Sequence, residues 1–189
     1  ESLISIYIDI IPVQHISFAA DVLPYVPGTE LICGAEIYSV HVAGKIINSV
    51  KTVTPPSGFS ADGHTLTADF NNDGLLDVLV KQNSSNYGIY AYDPRTADIL
   101  FSRDNINING NQAFPAVGDI NADNKPEILL LHPDKLTAYE YDGTGLNEFW
   151  SIPVDDASGS VGITLFDFDQ NSSREIVLRD ASFLRIING

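Results

Sequence analysis

No methionine occurs anywhere in these 189 residues, cysteine and tryptophan occur once each, and lysine and arginine together number only 10. Each scarcity removes a class of protein. A single cysteine, Cys33, cannot close an internal disulfide, and its setting in Leu31-Ile32-Cys33 marks a small buried hydrophobe instead of a reactive thiol. The 10 basic residues face 25 acidic ones, for a net charge of -15. Phosphate contacts need clustered bases and none occurs, so no nucleic-acid partner is expected. No apolar run approaches the roughly 18 residues of a membrane span, and no basic stretch precedes a signal-like apolar core. No membrane insertion is expected. A chain without an initiator methionine reads as processed or excerpted, and the expectation is the mature part of an exported, extracellular or cell-surface protein. Helical periodicity is missing as well.

What is present is apolar enough to bury a core, at 44% hydrophobic residues, and acidic in a patterned way. The clearest pattern is Asp69-Phe70-Asn71-Asn72-Asp73-Gly74-Leu75-Leu76-Asp77, which runs directly into Val78-Leu79-Val80. Oxygen side chains stand at its first, third, fifth and ninth positions (Asp69, Asn71, Asp73, Asp77), Leu75 at the seventh offers a carbonyl, and Gly74 at the sixth supplies a tight turn. Hard oxygen donors at alternating positions, three of them carboxylates, suit calcium better than zinc or copper. The loop resembles the first half of an EF-hand, except that its closing acid comes at position nine and a strand follows.

The pattern recurs. Glu30, Asp77, Glu127 and Glu175 are separated by 47, 50 and 48 residues, and each precedes an apolar triplet. A fixed period of this size marks an array of structural units. In the second loop the ligand positions are Asp119, Asn121, Asp123, the carbonyl of Lys125, and Glu127, with Asn124 at the turn; in the third they are Asp167, Asp169, Asn171, the carbonyl of Ser173, and Glu175, with Ser172 at the turn. Each loop brings three carboxylates, so their order rests on the turn residue: first loop, then second, then third. The corresponding stretch of the first unit, Val22 to Glu30, carries Pro24 and Pro27 and no early acid, and is expected to hold no ion. One such loop alone could be an acidic turn closed by side-chain to backbone hydrogen bonds. Three in register before an apolar strand favour up to three calcium ions, which would offset about six of the negative charges.

Each unit reads as four short strands joined by tight turns, which is one antiparallel sheet. The units fall at about 14–53, 64–102, 113–154 and 161–189, with an extra strand at 1–11 and Thr54 to Gly63 as a connector. Asp142-Gly143 reads as a hairpin turn, and Trp150 as a ring packed between units. The second strand of each unit is apolar on both faces, as a sheet covered on both sides requires. Radial stacking of four-stranded sheets meets that need, so the fold class is all-β and the architecture a β-propeller. Either these blades belong to a larger ring, or the N-terminal strand closes a ring of four.

The segments Ala68 to Val80, Val117 to Leu130 and Leu165 to Leu178 resemble the FG-GAP (VCBS-type) repeats of integrin α-subunit propellers and of many bacterial secreted proteins. The resemblance implies a propeller, calcium in its loops, and adhesion or recognition of a protein or glycan ligand. Catalytic signatures are thin: His15, His41, His64 and His132 lack metal-ligand spacing, and no phosphate loop appears. A non-enzymatic, calcium-stapled recognition module is the leading expectation. The alternatives are part of a propeller-type lyase similar to rhamnogalacturonan lyases, and a purely structural spacer.

Overall fold

The structure, a computed structural model, describes residues 17–82, 88–106, 114–132, 134–155 and 162–189. The strand expected at 1–11 lies outside these residues. Among them the chain forms strands and turns only. Sheet one contains β1 (Phe18–Ala20), β2 (Glu30–Cys33), β3 (Glu36–His41) and β4 (Ile46–Thr52). Sheet two contains β5 (His64–Ala68), β6 (Asp77–Lys81), β7 (Ile89–Tyr92) and β8 (Ile99–Arg103). Sheet three contains β9 (Ala116–Gly118), β10 (Glu127–Leu131), β11 (Lys135–Tyr141) and β12 (Leu146–Pro153), and sheet four contains β13 (Thr164–Phe166), β14 (Glu175–Arg179) and β15 (Leu184–Ile187). In every sheet the strand order follows the chain, and all neighbours pair antiparallel.

The apolar second strands explain how the sheets associate. Successive side chains of a strand point to opposite faces, so a strand apolar throughout feeds two cores. All five residues of β6 are buried. Val78 and Val80 join Ile32, Ile37 and Val53 of sheet one, with Tyr90 and Tyr92 of β7, in one apolar layer. Leu79 points the other way and meets Ile128, Leu130 and Tyr139 of sheet three. The same division recurs at β10, whose Leu129 and Leu131 pack with Ile176 and Leu178 of sheet four. The sheets therefore stack face to face in chain order. Their first strands lie side by side, β1 against β5, β5 against β9 and β9 against β13.

Trp150 lies at the layer between sheets three and four, as its size suggested, and Cys33 is buried and unoxidised. Each four-stranded sheet also carries a bulge between its third and fourth strands, at Ile37/Tyr38, Ala91/Tyr92 and Ala138/Tyr139. A bulge at one fixed place sharpens the strand twist there, so all three sheets share a shape that no residue type announces. The link between β11 and β12 is wider than a two-residue hairpin turn. It runs from Asp142 to Gly145, with the Asp142 amide donating to the Gly145 carbonyl at 3.2 Å. The Asp142 carboxylate accepts from Thr144 and Gly145, which holds its pKa at about 2. On sheet four, Phe166, Phe183, Leu184 and Ile186 are exposed.

Candidate metal centre

Three of the four links between first and second strands are the acidic loops, and they close by one hydrogen-bond scheme. The carboxylate at position one accepts from the amides of positions five and six: Asp69 from Asp73 at 3.0 Å and Gly74 at 2.7 Å, Asp119 from Asp123 at 3.2 Å and Asn124 at 2.9 Å, Asp167 from Asn171 and Ser172 at 3.0 Å each. The oxygen at position three accepts from the amide of position five, through Asn71, Asn121 and Asp169. Position five in turn accepts from position seven, through Asp73 to Leu75, Asp123 to Lys125 and Asn171 to Ser173. The closing acid accepts from the amide of position two: Asp77 from Phe70 at 3.0 Å, Glu127 from Ile120 at 2.9 Å and Glu175 from Phe168 at 2.7 Å. One oxygen of each closing acid is thus spent on the loop backbone, and the other is available to a cation.

Backbone geometry tightens this frame more than the sequence indicated. The turn position is left-handed in every loop, at Gly74 (φ 84°), Asn124 (φ 67°) and Ser172 (φ 77°). Position four is left-handed too, at Asn72 (φ 60°), Ala122 (φ 62°) and Gln170 (φ 60°). Two inverted residues separated by one are what turn alternate side chains inward. Serine therefore adopts the same turn as glycine, at some cost in strain, and the ordering of the loops by turn residue does not carry over into loop shape.

Electrostatics separates the loops instead. In the third, oxygens of Asp167, Asp169 and Glu175 all lie within 4.8 Å of one another. Among the described residues no other such three-carboxylate group forms; the first two loops also bring three carboxylates, but at positions one, five and nine, with asparagine at position three. In the second loop the remaining oxygen of Glu127 faces the Asn121 amide at 3.4 Å, and burial pushes the Glu127 carboxyl up to about 7 despite the Ile120 amide. In the first loop a guanidinium is already present. Arg95 Nη2 lies 2.9 Å from Asp73 Oδ2 and 3.3 Å from Asp77 Oδ1. Burial still raises the Asp77 carboxyl to about 7, against the pull of the Phe70 amide and of Arg95. Of the carbonyl positions, Leu75 and Lys125 are exposed, and Ser173 sends its hydroxyl to the Ile120 carbonyl of the neighbouring loop.

The donor chemistry of the third loop fits a hard divalent cation: three convergent carboxylates, none of them held in an ion pair among the described residues, although Arg174 stands at position eight. The second loop offers the same frame with its amide, Asn121, at position three and its third carboxylate, Asp123, at position five. The first fits less well, because two of its oxygens already hold Arg95. In unit one Glu30 keeps the closing role, accepting from Val22 at 2.9 Å and Leu23 at 3.1 Å, but the rest of its loop offers apolar side chains. Arg95 is the residue that sequence reading missed. It lies 18 residues beyond Asp77 in the turn between β7 and β8, and only the antiparallel order of the sheet brings that turn to the loop.

The sequence matches the FG-GAP-like repeat family over residues 69–130 and again over 119–178, and the chain belongs to that family. The matched copies start or end on the loops just described. No curated protein matches. Among solved structures, the rhamnogalacturonan lyase PL11 of Bacillus licheniformis is similar with a TM-score of 0.56 at 12% identity, covering 87% of this chain. BBS1N, in a complex with ARL6DN soaked with lead, is similar with a TM-score of 0.54 at 12% identity, covering 96% of this chain. The chain spans 40% of the lyase and 53% of BBS1N, and identities this low speak for the fold alone. Among the described residues no helix is long and apolar enough to cross a membrane.

Proposed function

We propose that the chain is a set of β-propeller blades, stabilised by calcium in their acidic loops, that serves as a non-enzymatic recognition or adhesion module of a secreted or cell-surface protein. The observation that carries the calcium half is the convergence of Asp167, Asp169 and Glu175 within a loop whose backbone is already formed by its own amides. A preformed oxygen frame at the join of two strands suits an ion that braces a sheet, and extracellular calcium modules bind at about 10⁻⁴ to 10⁻³ M. The blade half draws on the face-to-face stacking of sheets with their first strands adjacent, which a radial arrangement requires. Recognition of a protein or glycan draws on the resemblance to integrin-type and secreted bacterial repeats.

Melting the chain in EDTA and in millimolar calcium tests the first part, with a rise in calcium expected and no change refuting it. Glycan arrays and pull-downs with the intact protein test the second. A lyase segment is the second reading, supported by the likeness in fold to a rhamnogalacturonan lyase. Calcium-dependent release of unsaturated uronides from pectin fragments decides for the lyase; retention of a ligand without cleavage decides for recognition.

A further inference from the structure

We propose that Arg95 is the resident cation of the first loop, so that Asp69 to Asp77 is pinned without metal and calcium selects the second and third loops. The second half rests on the calcium reading above; the first half does not.

The contacts are specific. Arg95 Nη2 bonds Asp73 Oδ2 and Asp77 Oδ1, the two oxygens that the loop backbone leaves over once Asp73 Oδ1 has accepted from Leu75 and Asp77 Oδ2 from Phe70. The arginine is itself held in place. Its Nε and its backbone amide both donate to Asp93 Oδ1, at 2.7 and 2.8 Å, and Lys51 Nζ donates to its carbonyl at 3.1 Å. Its side chain is 13% exposed. A guanidinium keeps its charge at every physiological pH and presents a planar fork that suits two carboxylates. A divalent ion entering this loop would have to take both oxygens from Arg95 and then sit beside its charge. Among the described residues no basic side chain, Lys125 and Arg174 included, is paired with the carboxylates of the other two loops. The counterpart turn of sheet three, Asp142 to Gly145, contains no basic residue, and its acid is satisfied within the turn.

The test combines calcium stoichiometry by isothermal titration with melting in EDTA and in millimolar calcium, on the unmodified chain, Arg95→Gln and Arg95→Lys. The unmodified chain is expected to take two ions. Arg95→Gln is expected to melt roughly 5 °C lower in EDTA, to take a third ion, and to recover most of the loss in calcium. Arg95→Lys, a point charge that reaches one carboxylate, should lie between them, and it keeps the test readable should the glutamine variant not fold. Three ions in the unmodified chain, with Arg95→Gln changing neither stoichiometry nor melting, would overturn the proposal. If no variant takes calcium, the calcium reading falls, and melting in EDTA alone decides: a lowered Arg95→Gln upholds the pin, an unchanged one refutes it.

Discussion

The first and third loops share a backbone, a hydrogen-bond scheme and a place in their sheets, yet they balance charge in different ways. Around Asp69 to Asp77 the protein supplies its own cation from the β7–β8 turn at the same end of the sheet. Around Asp167 to Glu175 the carboxylates crowd together, and among the described residues no basic side chain, Arg174 of the same loop included, is paired with them. Loop geometry and ion demand are therefore separable properties: the amides shape the loop, and the neighbouring turn decides what must fill it.

The sharpest way to break this contrast is to remove the closing acid. Asp77 is fully buried and holds both the Phe70 amide and Arg95, so Asp77→Ala should cost about 3–5 kcal/mol in urea unfolding in EDTA. Asp167→Ala, in a more exposed loop whose carboxylates are in no ion pair among the described residues, should cost about 1 kcal/mol under the same conditions. Equal losses would mean that Arg95 contributes nothing. In calcium the gap narrows. A site with a dissociation constant of about 10⁻⁴ M gains about 1.4 kcal/mol in about 1 mM calcium, and Asp169→Asn should forfeit that gain while leaving metal-free stability nearly unchanged.

Acidity offers a smaller, signed effect. Burial raises Glu127 to about 7, so in metal-free protein the folded state holds a proton that the unfolded state has lost. The stability from this group is full below about pH 4.5 and declines as the pH rises toward 7. Glu127→Gln cannot titrate, so urea unfolding of this variant in EDTA should fall less steeply over that window, by about 1–2 kcal/mol. An identical slope would show that Glu127 ionises normally. The smallest effect concerns the backbone. Ala122 and Ser172 occupy left-handed positions, and Ala122→Gly or Ser172→Gly should raise stability by up to about 1 kcal/mol, whereas Gly74→Ala should lower it.

Much of this architecture is written locally, which is why it could be read. β2, β6, β10 and β14 each begin on the closing acid that the repeat picked out, and β5 and β9 end immediately before the first acid of their loops. An acid that must reach back to an amide seven residues earlier fixes where a loop stops and a strand starts, and that constraint lies within nine residues. What escaped reading depends on longer range or on backbone alone. Arg95 reaches the loop only because links one and three of an antiparallel meander share an end. Ala122 gives no hint of positive φ, since alanine has no side-chain oxygen to favour it. The bulges fall at Ile37/Tyr38, Ala91/Tyr92 and Ala138/Tyr139, ordinary strand residues whose shared place becomes visible only once the sheets are aligned.

Glu30 shows what remains when ion chemistry is taken away. It is buried and still grips the amides at the head of its loop, although that loop has prolines and apolar residues where the others have acids. The brace is thus a component in its own right, and the acidic residues of the other loops are an accessory mounted on it. A protein engineer can treat unit one as a ready chassis: exchanging the polar half of the cassette, while leaving Leu23 and Glu30 in place, is the route to a lanthanide-sensing sheet that keeps its strands untouched.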